Sequence, residues 1–105
     1  PWNFGPNLSS KKVTVKEIVK KVISIWGKEK RMEYLIKNET KYNEAKILML
    51  NSSKAKKSLN WNPVYSSNEA IFETTEWYKK FFERNNMKDI TMNQIQKYME
   101  KMKNK

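Results

Sequence analysis

Apolar residues recur at the spacing of one helix face soon after the start of the chain. They follow Thr14-Val15-Lys16-Glu17, a capping box in which a Thr hydroxyl and a Glu carboxylate satisfy the free N–H groups at a helix start. The apolar positions are Val15, Ile18, Val19, Val22, Ile23 and Trp26, and Gly27 is a natural stop. The pattern predicts an amphipathic core helix.

The second half of the chain carries two similar patterns. Ser66-Ser67-Asn68-Glu69 predicts a helix that begins at about residue 67 and ends at Asn85-Asn86. Its apolar stripe consists of Ala70, Ile71, Thr74, Trp77, Tyr78, Phe81 and Phe82. Thr91 and Gln94 form a third capping box and predict a last helix from that point. Its expected buried face consists of Met92, Ile95, Tyr98, Met99 and Met102.

Three short stretches predict strands. The apolar run 47–50 is too short for a helix core and suits a buried strand, the alternation of Met32, Tyr34 and Ile36 suits a half-buried one, and 2–4 alternates likewise. A short helix over 54–59 is expected next, with a cap among 51–53 and an end at Asn60 in the left-handed conformation. The predicted fold class is α+β, a mostly helical single domain over residues 1–105.

The residue inventory excludes several kinds of chemistry. The 105 residues include no Cys and no His, which removes disulfides, thiol nucleophiles, imidazole bases and typical zinc sites. Two glycines far apart cannot form the Gly-rich loop that holds a dinucleotide. No apolar run approaches the ~20 residues of a membrane span. We expect no cofactor in this chain, no membrane partner and a cytoplasmic location.

A net charge of +11 leaves two interpretations open. A basic chain attracts phosphate, and nucleic acid is one natural partner. Arg31 and Arg84 are the only two Arg residues, however, and the lysines are spread over every predicted helix with Glu between them. A solvated Lys-rich surface, whose positive charge would also suit a diphosphate-bearing substrate, is therefore favoured over a dedicated nucleic-acid face.

Five stretches, in order, resemble one enzyme family. They are Trp2-Asn3-Phe4-Gly5-Pro6; Val15, Val19, Trp26 and Gly27; the segment 43–63 with Asn43-Glu44-Ala45, Ser53-Lys54-Ala55 and Leu59-Asn60-Trp61; Thr75 with Trp77-Tyr78; and Thr91 with Gln94-Ile95 and Tyr98. They are similar to WNFGP, the following helix, HEAxxLxLDxSKAxxxLGWxP, TxxWY and TxxQIxxY near the C-terminus of CDP-glucose 4,6-dehydratases. These are extended short-chain dehydrogenases/reductases. Asn43, Asn51 and Asn60 stand where the family pattern has His, Asp and Gly.

The resemblance implies a substrate-binding role. In this family an N-terminal dinucleotide-binding domain holds NAD, and the C-terminal part closes over the nucleotide-sugar. The implied substrate contacts are Asn43 and Glu44, with Tyr42 for base stacking and Arg31 for phosphate. Tyr42-Asn43-Glu44-Ala45-Lys46 also spells the Tyr-x-x-x-Lys pair of these dehydrogenases. It runs directly into a predicted strand instead of lying on a long helix, so a catalytic role is not expected.

The function predicted from the sequence is the CDP-glucose-binding part of a 4,6-dehydratase-like enzyme, inactive alone. The chain is expected to be a fragment whose dinucleotide-binding domain is missing, with self-association through the apolar surface around Trp2 and Phe4. The alternative is a basic nucleic-acid-binding or protein-interaction module without enzymatic activity.

Overall fold

A computed structural model describes residues 1–27 and 49–105. These residues form four helices: α1 (Val15–Trp26), α2 (Ser53–Leu59), α3 (Ser67–Phe82) and α4 (Met87–Lys103). Within the two described ranges there is no strand. None of the described helices is long and apolar enough to cross a membrane.

The predicted α+β class is wrong, because the structure is helical. Residues 2–4 are irregular, as are residues 49 and 50 at the end of the predicted strand 47–50. The other residues of that strand, and the predicted strand 32–36, lie outside the described ranges. A strand requires a neighbour to pair its N–H and C=O groups, and alternation in one segment cannot supply that neighbour. Here Trp2 packs on Lys54 of α2, and Phe4 packs on Trp61 just after that helix.

The starts of α1 and α3 are as predicted, because both capping boxes form completely. Thr14 Oγ1 accepts from the Glu17 N–H at 3.2 Å, and the Glu17 carboxylate accepts from the Thr14 N–H at 2.8 Å. Ser66 and Glu69 make the same pair of bonds at 3.2 and 2.8 Å. Each box satisfies two N–H groups that have no partner within the helix.

Helix α2 ends as the sequence predicts. Asn60 has φ 51° and ψ 31°, the left-handed conformation that Asn tolerates better than most residues. Both Asn60 and Trp61 direct their N–H groups at the carbonyl of Ala55, a residue with no exposed surface. At the start, Asn51 Oδ1 accepts from the Ser53 N–H at 2.9 Å. A side-chain bond at the start and backbone bonds at the end therefore define this short helix.

The predicted start of α4 is wrong. The helix begins at Met87, and Asn86 Oδ1 accepts from the N–H groups of Lys88 and Asp89 at 3.1 and 3.4 Å. Thr91 and Gln94 are consequently inside the helix, where their side chains contact α3. Asn86 precedes Thr91 in the chain and caps the helix first. The helix has therefore already begun where the predicted capping box starts.

Contacts divide the described residues into two compact units. The first contains residues 1–11 and 49–63, and the second contains residues 12–27 and 64–105. In the second unit α3 packs against both α1 and α4. The ring of Trp26 on α1 lies 5.6 Å from that of Phe82 on α3, and the Lys79 ammonium donates to the Ile25 carbonyl at 3.3 Å. The prediction of one domain over residues 1–105 remains a prediction.

Trp77 connects α3 to α4. Its indole lies parallel to the Phe81 ring with centroids 5.8 Å apart and meets the Tyr78 ring edge-on at 5.3 Å. Its Nε1–H donates to Thr91 Oγ1 on α4 at 2.9 Å. One residue thus combines ring packing with a hydrogen bond between the two helices.

Few side chains are fully buried. Among the described residues the buried apolar ones are Ala55 and Val64, and the buried polar ones are Ser52 and Thr75. The buried face predicted for α4 is wrong, since Met92, Ile95, Met99 and Met102 are exposed and Tyr98 is half-buried. Helical spacing identifies a stripe correctly, but it does not identify what the stripe faces.

The cap of α3 gives a test of this architecture. Ser66→Ala removes the hydroxyl that accepts from the Glu69 N–H and should destabilise the protein by about 1 kcal/mol. Ser67→Ala, one position into the helix, is the matched control and should change the stability by less than about 0.5 kcal/mol. Urea denaturation followed by circular dichroism measures both, and equal effects would contradict the capping geometry.

Two replacements of Trp77 separate its packing from its hydrogen bond. Trp77→Ala should cost about 3 kcal/mol because it removes a large ring from between α3 and α4. Trp77→Phe keeps a ring and loses the bond to Thr91, for an expected cost of about 1 kcal/mol. If Trp77→Ala melted within a few degrees of the parent protein, the indole would not be holding the helices together.

Candidate functional site

The residues that the sequence singles out for substrate binding are Tyr42, Asn43, Glu44 and Arg31. All four lie outside the described residues, as does Lys46 of the Tyr-x-x-x-Lys sequence. The structure therefore leaves their roles as predictions. The geometry available to a candidate site comes from the described residues of each compact unit.

In the first unit, the N-terminal residues pack on α2. The Lys54 ammonium lies 4.6 Å from the centre of the Trp2 ring and donates to the Pro1 carbonyl at 3.3 Å. The Phe4 ring meets the Trp61 ring edge-on at 5.1 Å. Two stretches about fifty residues apart, Trp2–Pro6 and 53–61, thus form one local structure. Sequence reasoning did not predict this contact.

Gly5 allows that packing. A Cβ atom at this position would lie 3.3 Å from Cβ of Leu50, tighter than an ordinary van der Waals contact. The Lys56 ammonium donates to Asn7 Oδ1 nearby. Since Lys54 and Lys56 are both held by the N-terminal residues, neither is a freely moving phosphate ligand.

The second unit contains an open cleft of about 360 Å³, here called the Tyr65 cleft. It is lined by Lys21, Tyr65, Asn68, Glu69, Phe72, Glu73, Lys97 and Lys101. A neighbouring hollow of about 340 Å³ shares Tyr65 and Glu73 and extends to Trp77 and Gln94. The Tyr65 cleft combines aromatic walls with amino and carboxylate groups from α1, α3 and α4.

Tyr65 is the most enclosed polar group of the cleft. Its ring meets the Tyr98 ring edge-on at 5.1 Å, and the Lys101 ammonium lies 5.2 Å from the ring centre. Within the described part of the chain, the phenol oxygen is buried and has no hydrogen-bond partner. Burial, followed by the negative charge of Glu73, raises the pKa of this phenol. It remains a neutral O–H group at physiological pH.

Two ion pairs connect α3 to α4 along the cleft. Lys97 pairs with Glu73, and Lys101 pairs with Glu69. Gln94 Nε2 reinforces the first pair, donating to the Glu73 carbonyl at 2.8 Å and to its carboxylate at 3.2 Å. The spacing explains why both ion pairs can form, since the two charged residues of each helix are four positions apart and lie on one face.

These bonds shift the ionisation of the paired groups. The hydrogen bond from Lys101, and then those from Ser66, lower the pKa of Glu69 to about 2. The hydrogen bond to Glu73 raises the pKa of Lys97. General acid–base catalysis favours a pKa near the working pH, and these shifts move both groups away from it. The cleft is therefore built for binding or for structure rather than for proton transfer.

The described residues contain no group of three metal-ligating side chains. Lys97 and Lys101 each form an ion pair with a carboxylate. Lys21 is therefore the cleft ammonium that no described carboxylate neutralises. The chemistry left to a ligand is one ammonium, the Asn68 amide, the Tyr65 phenol and the Phe72 ring. This set suits a small anion with an apolar part.

The family-like stretches of the second unit act in packing. Thr75 is buried and donates to the Ile71 carbonyl within its own helix at 2.7 Å. Thr91 accepts from Trp77, and Gln94 holds the Glu73 backbone. The residues that resemble TxxWY and TxxQIxxY therefore join α3 to α4.

A comparison of this sequence with known proteins finds similarity to the same enzyme family. The chain is 33% identical over 98 residues to CDP-glucose 4,6-dehydratase from Salmonella typhimurium. It is similar to part of that enzyme. The match covers 93% of this chain and 26% of the relative's length, and supports a relationship to its C-terminal region. No protein-family model matches the chain, and no solved structure matches it.

Sequence reasoning missed Tyr65 and the four charged residues that connect α3 to α4. Tyr65 precedes the capping box of α3 and belongs to no periodic pattern. The charges did carry a signal: Glu69 and Glu73 on one helix and Lys97 and Lys101 on the next are each four apart, and a connection of four residues makes such helices neighbours.

The low pKa of Glu69 predicts an acid-dependent loss of stability. A carboxyl group whose pKa is lower in the folded than in the unfolded state stabilises the fold above the unfolded value of about 4.5, and that contribution disappears as the pH falls through the folded value of about 2. The parent protein should therefore lose more stability than Glu69→Gln between pH 5 and pH 2.

Thermal melts of both proteins across this range test the expectation. Glu100→Gln is the control, because its carboxylate bonds to Gln96 on the same helix instead of joining two helices. The interpretation fails if the difference between the parent protein and Glu69→Gln is the same at both ends of the pH range.

Proposed function

We propose that this chain is the nucleotide-sugar-binding part of a CDP-glucose 4,6-dehydratase-like enzyme and is inactive alone. The observation that carries the proposal is the similarity to that enzyme over 93% of the chain. The relative's name specifies CDP-glucose as its substrate, and the chain spans about a quarter of its length. The rest of the reaction chemistry is assigned to a dinucleotide-binding domain elsewhere.

The substrate contacts belong to the segment between the two described ranges. Arg31 offers a planar guanidinium for the diphosphate, and the Tyr42 ring offers a face for the cytosine base. Asn43 and Glu44 provide an amide and a carboxylate that can bond to hydroxyl groups. The Asn43 amide replaces the His of the family pattern and cannot titrate, so its role is hydrogen bonding.

Contacts within the first unit support this proposal. The stretches that resemble WNFGP and SKAxxxLGW lie far apart in the sequence, yet they pack together through Trp2 on Lys54 and Phe4 on Trp61. Two family-like stretches that meet in space are expected if the chain shares the architecture of its relative.

NAD does not fit this chain. A dinucleotide fold holds the pyrophosphate on a Gly-rich turn between a strand and a helix. Gly27 instead ends α1 with φ 108°, and Gly5 packs beside Leu50. These are the two glycines of the sequence, so any NAD of the complete enzyme is assigned to its dinucleotide-binding domain.

The competing function rests on the net charge of +11, which favours a nucleic-acid partner. The structure weighs against an organised nucleic-acid face. Lys54, Lys56, Lys79, Lys97 and Lys101 are each held by a carbonyl, an amide or a carboxylate of the protein. These ammonium groups would have to give up existing partners before they could bind phosphate.

Calorimetric titration with CDP tests the proposal. The chain should bind CDP with a Kd weaker than about 100 µM, because it supplies only part of the proposed pocket and binding costs translational and rotational freedom. Glu44→Ala should weaken binding about tenfold, the loss expected for one hydrogen bond to a charged group. Glu100→Ala, on α4, is the matched control and should bind like the parent protein. NAD should not bind.

Two further results decide between the functions. Addition of a matching dinucleotide-binding domain should restore some dehydration of CDP-glucose, while the chain with NAD alone should show none. A short DNA duplex should bind weakly, with an affinity that falls steeply between 50 and 200 mM salt as counterion release requires. DNA affinity that persists at high salt, without any response to CDP, would favour the nucleic-acid function.

A further inference from the structure

The outer face of α4 carries a regular apolar stripe. Met92, Ile95, Met99 and Met102 are 58, 48, 53 and 52% exposed. Their spacings of three, four and three residues are those of the a and d positions of a coiled coil over two heptads. We call these four residues the α4 seam. No charged residue occupies a seam position between Met92 and Met102.

The described part of the chain leaves about half of each α4 seam side chain exposed. The side of α4 that adjoins the seam packs on α3 and Tyr65 through polar groups and one ring. These residues are Thr91, Gln94, Lys97, Tyr98 and Lys101. A helix of a monomeric protein normally buries its apolar stripe and leaves the polar side in water. In α4 the polar groups make contacts with α3 and the apolar stripe stays partly exposed, so this stripe is available to a partner.

We propose that the α4 seam binds the α4 seam of a second copy of this chain, with the two helices antiparallel. The spacing reads the same from both ends of the seam. An antiparallel arrangement around a two-fold axis therefore places Met92 opposite Met102 of the second copy, and Ile95 opposite Met99 of the second copy. Every seam residue meets an apolar residue, and the two copies use the same surface, as a symmetric dimer requires.

Charges beside the seam select this orientation. Asp89 and Lys103 are exposed e positions at opposite ends of α4. Antiparallel pairing places Asp89 beside Lys103 of the second copy, and symmetry makes two such pairs. Parallel pairing would instead place Lys88, the next seam position, against Lys88 of the second copy and bring the two Lys-rich helix ends together. The antiparallel arrangement also opposes the helix dipoles favourably.

The dimer should be weak and should strengthen with salt. A seam of two heptads buries less than the ~800 Å² per partner of a standard interface, so we expect a dissociation constant of about 100 µM. Each chain carries a net charge of +11, which opposes association at low ionic strength. Salt screens this repulsion and leaves apolar burial in place. Nucleic-acid binding has the opposite salt dependence.

Sedimentation equilibrium of the full chain at several concentrations tests the surface. Ile95→Glu should raise the dissociation constant at least tenfold, because association would bury an unpaired carboxylate. Asn93→Glu, exposed on α4 outside the seam, is the matched control with the same change of charge and should dimerise like the parent protein. A parent protein that is monomeric up to 1 mM, or equal behaviour of the two variants, would overturn the proposal.

Disulfide formation tests the orientation, with no background because the chain has no Cys. Met92→Cys and Met102→Cys are made separately, oxidised alone and oxidised as an equal mixture. Antiparallel pairing gives cross-linked dimer in the mixture and little in either variant alone, since the two positions lie about 15 Å apart along the helix. Cross-linking of each variant with itself, or none in the mixture, would overturn the antiparallel arrangement.

Discussion

The register between α3 and α4 depends on a set of directional polar contacts. Trp77 donates to Thr91, Gln94 donates to the Glu73 carbonyl, and two ion pairs follow one turn apart. Apolar burial alone would tolerate a slip, because it has no direction. A slip of α4 by one turn would separate Thr91 from Trp77 and leave an ammonium and a carboxylate without partners. The positions of Lys97 and Lys101 in the Tyr65 cleft follow from this register.

Features that depend on neighbours in the sequence could be predicted. The capping boxes at Thr14 and Ser66 and the left-handed Asn60 involve residues at most five positions from the group that they satisfy. The predicted strand 2–4 failed because a strand depends on a distant partner, and Trp2 and Phe4 instead pack by their side chains on Lys54 of α2 and on Trp61. The start of α4 failed for a local reason: Thr91 and Gln94 have the sequence of a capping box, but Asn86 caps the helix earlier and leaves both side chains to contact α3.

The Tyr65 cleft was less predictable than the helices that form it. Tyr65 lies in the connection before α3, where no periodicity applies, and its partner Tyr98 is more than thirty residues away. The charged pairs were accessible in principle, through the spacing of Glu69 with Glu73 and of Lys97 with Lys101. The proposed substrate contacts rest on resemblance alone, since a segment with Arg31 and 42–44 has side chains of the right type but no periodic pattern to position them.

The two faces of α4 have different consequences for the protein. The face on α3 is polar and specific, so it determines the register while contributing little apolar burial. The α4 seam has the apolar surface and no directional group, and each square ångström that it removed from water would contribute about 25 cal/mol. A chain with a net charge of +11 can associate with itself only where charge is absent from the contact or paired within it. The α4 seam meets the first condition, and Asp89 with Lys103 meets the second.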